Sequence, residues 1–137
     1  MANNVVDNVL KFLERQEMVV WKLGADALMV CTGFDGIGVD ILIYFYEGKK
    51  VVNIDGANFI EIPQKKYDDI YKVLNECNAM HTFVKYVLDI EEGQINISAR
   101  IEIQDDKCGA QCYVAMQLML DCLQEAYPKF KEAIEEE

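Results

Sequence analysis

Few residues in this chain have the type and spacing to do chemistry. There is one histidine, His81, in the stretch Asn78-Ala79-Met80-His81-Thr82, at the turn between a helix and a strand, where it reads first as a loop histidine. Cys77 lies four residues before it, close enough for a thiol–imidazole pair in which the ring takes the thiol proton. Such a device also needs a third group to orient the base, and no Asn or Asp identifies itself for that task. Cys108 and Cys112 form a second pair, four apart and so on one face of a helix. That spacing suits a soft metal or a redox couple. A structural zinc site, however, asks for four Cys or His ligands, usually with a Cys-x-x-Cys knuckle. The remaining donors, Cys31, Cys122 and His81, show no supporting pattern. Gly33, Gly36 and Gly38 sit between two extended stretches, whereas a phosphate loop leads into a helix; they read as a turn. Carboxylates are plentiful but scattered, and Asp105-Asp106 suits a helix N-terminus, which favours negative charge. The sequence therefore assigns no catalytic residue, no metal and no cofactor. Five cysteines, most within apolar patterns, read as reduced core thiols.

The surrounding pattern is α+β. Val5, Val6, Val9, Leu10 and Leu13 recur at helical spacing, with Asn3 as the cap. Three or four strands follow: a short strand or linker over 17–23, then 27–34, 39–46 and 50–54. Turns fall at Asp35-Gly36 and Glu47-Gly48. Asp55-Gly56 reads as a break or bulge, with 58–62 continuing the sheet. Pro63 opens a second helix with Tyr67, Ile70, Tyr71, Leu74 and Cys77 on its apolar stripe, ending near Asn78. Ile95, Ile97, Ala99, Ile101 and Ile103 alternate with polar residues, and with 84–90 they form an antiparallel hairpin.

The last helix begins near Asp105 or Asp106 and runs to about Tyr127, where Pro128 interrupts or kinks it. One stripe carries Cys108, Cys112, Ala115, Met119, Cys122 and Ala126. A second carries Tyr113, Met116, Leu120, Leu123 and Tyr127. Together they cover roughly half the helix, more than a core-facing helix needs. Val114 and Leu118 intrude on the polar remainder. The first stripe suits close packing on the sheet. The bulky second stripe is the candidate partner or dimer surface.

The order is thus α-β-β-β-α-β-β-α, an antiparallel sheet with helices on one face, in a single domain over 1–137. With 24 acidic and 13 basic residues, net charge is −11. Such a surface repels nucleic-acid backbones and anionic membranes. The longest uncharged apolar run, 41–46, is too short to span a bilayer, and the N-terminus lacks a signal-peptide pattern. The expectation is a cytoplasmic protein.

From Ile60 onward the chain resembles a known family. Ile62-Pro63 opens a helix ending in Leu74-Asn75-Glu76-Cys77-Asn78. A strand follows with Lys85-Tyr86-Val87-Leu88-Asp89, then an acidic-Gly turn and the strand 94–104. The last helix reaches Ala126-Tyr127-Pro128. This resembles the YbjN-like family of bacterial proteins, described as proposed sensory transduction regulators. The resemblance implies the fold of type III secretion chaperones, a domain that is often a homodimer, and a role in handling or regulating other proteins. It brings no catalytic residues. A non-enzymatic protein-binding module is therefore the leading expectation. A small-molecule sensor with a pocket between helices and sheet is the alternative. A metal or redox protein using Cys108, Cys112 and His81 is the third.

Overall fold

The computed structural model describes residues 2–46 and 48–136, with side chains from Val5 onward. The Asn3 cap and the Glu47 half of a turn fall outside the described residues. The elements are α1 (Ala2–Arg15), β1 (Val19–Lys22), β2 (Ala27–Phe34), β3 (Ile37–Phe45), β4 (Val51–Ala57), α2 (Tyr67–Met80), β5 (Lys85–Asp89), β6 (Gln94–Glu102) and α3 (Cys108–Glu135). The order is the expected one, with β1 as the fourth strand of the first group. All six strands pair antiparallel in the order β1-β2-β3-β4-β6-β5.

Register puts one apolar residue per strand in line across the sheet. Val20, Val30, Ile41, Gly56, Ile97 and Tyr86 are successive partners. Opposed residues share a face, so this row and its neighbours form the floor on which the helices lie. The other face carries Trp21, Met29, Leu42, Asp55, Ser98 and Lys85 in one row. No helix packs on that face among the described residues. The β2–β3 turn is the expected one: Asp35 and Gly36 have φ of 47° and 79°, both positive as a two-residue hairpin loop requires.

Three expectations are corrected. First, β4 passes straight through Asp55-Gly56. A Cβ on Gly56 would sit 2.8 Å from Ile97 Cγ2, with Met119 Sδ at 3.6 Å. The glycine makes room for close approach rather than a bulge, and 58–62 contributes only an isolated bridge, Glu61 to Gln94. Second, α3 runs on past Pro128 to Glu135. An interior proline costs about 3 kcal/mol, but Phe130 and Ala133 beyond it are buried, and that burial offsets the cost. Third, Tyr71 of α2 is exposed; Ile70, Leu74 and Cys77 form the buried stripe.

Helix α3 lies at the centre of the helical layer. It touches α1, α2, β2 and β6. Gly109 lets it meet α1 closely, since a Cβ there would lie 2.5 Å from Phe12 Cβ.

Candidate functional site

The chemistry-bearing side chains do not converge. His81 is not a loop residue: it caps the C-terminal end of α2 and is buried. Its Nδ1 lies 2.8 Å from the Tyr86 hydroxyl. Burial holds the Tyr86 phenol well above its ordinary range, so the hydroxyl keeps its proton and has one to donate to Nδ1. Nε2 faces Glu125 Oε2 of α3 at 3.4 Å without closing a hydrogen bond. Asn78, one helical turn earlier, bonds the same strand residue twice. Its Oδ1 accepts from the Tyr86 N–H at 2.7 Å and its Nδ2 donates to the Tyr86 carbonyl at 3.0 Å. The Tyr86 ring packs edge-on against Phe130, centroids 5.5 Å apart. This cluster joins α2, β5 and α3.

Cys77 is buried, and burial pushes its thiol upward. It is therefore a protonated thiol at neutral pH, the opposite of an activated nucleophile. Cys112 is pushed up to about 12 by burial, and Cys108 is raised for the same reason. Cys108 and Glu125, which meets His81, are separated by about 25 Å of α3 at the rise of a helix. The trio Cys108, Cys112 and His81 thus has no common centre. Among the described residues, no group of three or more His, Cys, Asp or Glu side chains is placed to hold a metal.

The candidate partner surface on α3 needs correction. Met116, Leu120 and Leu123 are buried within the monomer. Tyr113 is half-buried against Phe12 of α1, ring centroids 6.3 Å apart. Tyr127 meets Phe34 of β2 edge-on at 5.6 Å. The apolar face is wide because α3 has three neighbours: the sheet below, α1 on one flank and α2 on the other. Both stripes are consumed inside the chain.

The apolar residues that α3 leaves exposed are the two intruders. Val114 is 55% and Leu118 46% exposed, and Phe83, before β5, is 36% exposed. With Ile101 of β6 they line an open groove of about 420 Å³, edged by Glu102, Lys107 and Gln111. Strand lengths create it. β5 pairs with β6 only as far as Lys85 opposite Ser98, whereas β6 continues beside β4 to Glu102. The sheet is notched at this corner, and the groove lies between the notch and α3. A four-residue spacing of apolar residues in a polar helix face was the sequence signal for it; Phe83 had none.

A second exposed apolar set lies on the far edge. Val19 is 58% and Trp21 46% exposed, with Leu23 beside them. Val19 and Trp21 belong to β1, which pairs on one side only, with β2, and Leu23 follows it. Lys22 faces the other way and bonds Asp7 of α1 at 3.2 Å. Between helices and sheet, Ile41, Ile54, Met116 and Met119 are fully buried side chains. No helix among the described residues is long and apolar enough to cross a membrane.

No protein-family model and no curated protein matches the sequence. Among solved structures, the crystal structure of YbjN from E. coli, titled there as a proposed transcription regulator, is similar. The TM-score is 0.66 at 16% sequence identity, over 90% of this chain and 92% of that one. Among the described residues, three α-helices and a six-stranded antiparallel sheet, aligned over nearly the whole of both chains, give this protein a YbjN-like fold.

Proposed function

We propose that this protein is a non-enzymatic regulatory module that works by binding another protein through the groove between α3 and β6. One observation carries the reading: Phe83, Val114 and Leu118 expose apolar surface together around a concave site. Scattered exposed apolar residues need no explanation, but a contiguous patch does. The titratable cluster at His81 lacks an activated nucleophile, so binding accounts for the site better than chemistry does. The similar structure, YbjN, is described as a proposed transcription regulator. A net charge of −11 opposes direct contact with DNA phosphates, so regulation here acts through a protein surface. A small-molecule sensor would need room between helices and sheet, where large side chains already sit.

A photo-crosslinking amino acid at position 118, in cells of the native host, tests this. The expected result is a discrete protein trapped at position 118 and not at Glu132, an exposed control on the same helix. Equal, diffuse labelling at both positions removes the reading.

Homodimerisation, which the family resemblance implies, is better placed at the β1 edge than on α3. There the main chain of Val19–Lys22 has one free side, and Val19, Trp21 and Leu23 lie exposed beside it. Unprotected edges pair readily. Sedimentation of the wild type and of Trp21→Glu decides it: a dimer that dissociates on substitution is expected, and a wild type monomeric at all concentrations refutes it.

A further inference from the structure

We propose that the notch in the sheet receives an extended segment of another protein, added as a strand to β6, in which apolar residues alternate with acidic ones. This rests on the protein-binding reading of the groove and specifies the ligand. Four observations carry it.

The first is free main chain. The Ile103 N–H donates to the Lys50 carbonyl at 2.9 Å, towards the β4 side. Main-chain groups alternate sides along an antiparallel strand, so those of Arg100 and Glu102 turn away from β4. β5 ends before reaching them. Among the described residues, 82–84 make no main-chain hydrogen bond to them. Two N–H and two C=O groups are therefore available in the line that β5 would occupy if it were longer.

The second is that clefts flank this edge on both faces. On the helix side is the apolar groove with Phe83, Ile101, Val114 and Leu118. On the helix-free side a cleft of about 300 Å³ is lined by Asn53, Thr82, Lys85, Ser98 and Arg100, among others. Successive side chains of an added strand point to opposite faces, so one parity enters the groove and the other meets the second cleft.

The third is charge. Lys85 and Arg100 both line the second cleft, and Lys107 edges the groove; Glu102 is the carboxylate at its margin. The Arg100 guanidinium is held in place: Nε donates to Asn53 Oδ1 at 2.9 Å, and the group stacks over the Tyr46 ring at 5.4 Å. In a chain of net charge −11 this corner is locally basic, and the complementary side chains are carboxylates.

The fourth is that the neighbouring edge is closed. The outward N–H and C=O of Tyr86 are taken by Asn78, so strand addition is confined to the notch. Main-chain bonds then supply affinity and alternate pockets supply specificity, as in other strand-addition sites.

The test uses the full chain, isotope-labelled, with three short end-blocked peptides. One alternates valine with glutamate, one has the same composition in block order, and one alternates valine with lysine. The alternating acidic peptide is expected to slow amide exchange at Arg100 and Glu102 by about tenfold, and the block-order peptide to leave it unchanged. Arg100→Glu should transfer the preference to the lysine peptide. Arg100 is exposed, so Arg100→Glu keeps the core intact. Shifts confined to Val114 and Leu118, with no protection at Arg100 and Glu102, overturn strand addition while leaving protein binding at the groove standing. Protection that appears without peptide and grows with protein concentration makes the occupant a second copy and also overturns the proposal. If no peptide binds, and position 118 crosslinks a discrete partner in cells, strand addition alone fails; if neither occurs, both readings fail.

Discussion

Phe130→Ala tests whether the last turns of α3 are held by packing after the helix has passed Pro128. Phe130 is fully buried and its ring meets Tyr86 at 5.5 Å. Truncating a buried phenylalanine costs about 3–5 kcal/mol, the lost transfer energy plus the cavity left behind. Each kcal/mol lowers Tm by roughly 3–4 °C in a chain of this size, so the expected drop is about 9–20 °C. Pro128→Ala is the companion. Pro128 is exposed, so its removal leaves no cavity, and restoring an N–H to the helix should raise stability by about 1–3 kcal/mol. Urea unfolding of the two single variants and the double variant gives the numbers. If Phe130→Ala costs less than about 1 kcal/mol, well below the core range, the segment 129–135 is not docked. The account of how the helix tolerates its proline would then be wrong. A Pro128→Ala variant no more stable than wild type would point the same way.

Asn78→Ala should destabilise by about 1–3 kcal/mol, since two hydrogen bonds to the Tyr86 main chain are lost at roughly 0.5–1.5 kcal/mol each. Amide exchange at Tyr86 should accelerate in step, and an unchanged urea midpoint would show that the β5 edge is held by other contacts. Stability should also fall in alkali. Burial raises the Cys112 thiol to about 12 from 9.0, so its contribution is whole below the unfolded value and is lost as pH rises through the folded one. Between about pH 8 and pH 10.5 this single group should cost roughly 2 kcal/mol. Cys77 and Tyr86 are raised too and act in both proteins, so the reading is the difference between wild type and Cys112→Ala. Parallel pH profiles for the two would refute it.

Where a local rule and the tertiary environment agree, the sequence is legible. The alternation of Ile95, Ile97 and Ala99 with polar residues marked β6 because that strand has one covered face. Asp35-Gly36 marked its hairpin because both residues must take positive φ. Legibility failed where a distant contact decided. Gly56 looked like a strand breaker, and only the approach of Ile97 and Met119 explains it. Pro128 looked like a helix end, and only the docking of Phe130 overrides it. His81 looked like a loop residue, and its burial depends on Tyr86, from a different element. Periodicity measured the width of the apolar face of α3 correctly, but it cannot say whether a second subunit or a neighbouring helix covers Met116, Leu120 and Leu123. The candidate site was legible only as Val114 and Leu118, two apolar residues on a polar face.

The sheet edges connect these points to function. A sheet of six strands has two edges, and unpaired main chain on either invites association. At the β5 edge the chain spends a side chain, Asn78, to mimic a pairing strand at Tyr86. Two residues further along β6, no side chain among the described residues does the same for Arg100 or Glu102. Extending β5 by two residues, to Phe83, would have paired Arg100 in the same register, and the segment 82–84 has the length to do so. Instead that segment turns off towards α2, where His81 is anchored between Tyr86 and Glu125, and Phe83 is left beside the groove. Anchoring His81 and opening the notch are therefore one structural choice. A variant that loosens the anchor, such as His81→Ala, should let 82–84 pair with β6, protect the Arg100 amide, and reduce crosslinking at position 118. Unchanged or weaker protection of that amide in His81→Ala would show that the anchor does not hold the notch open.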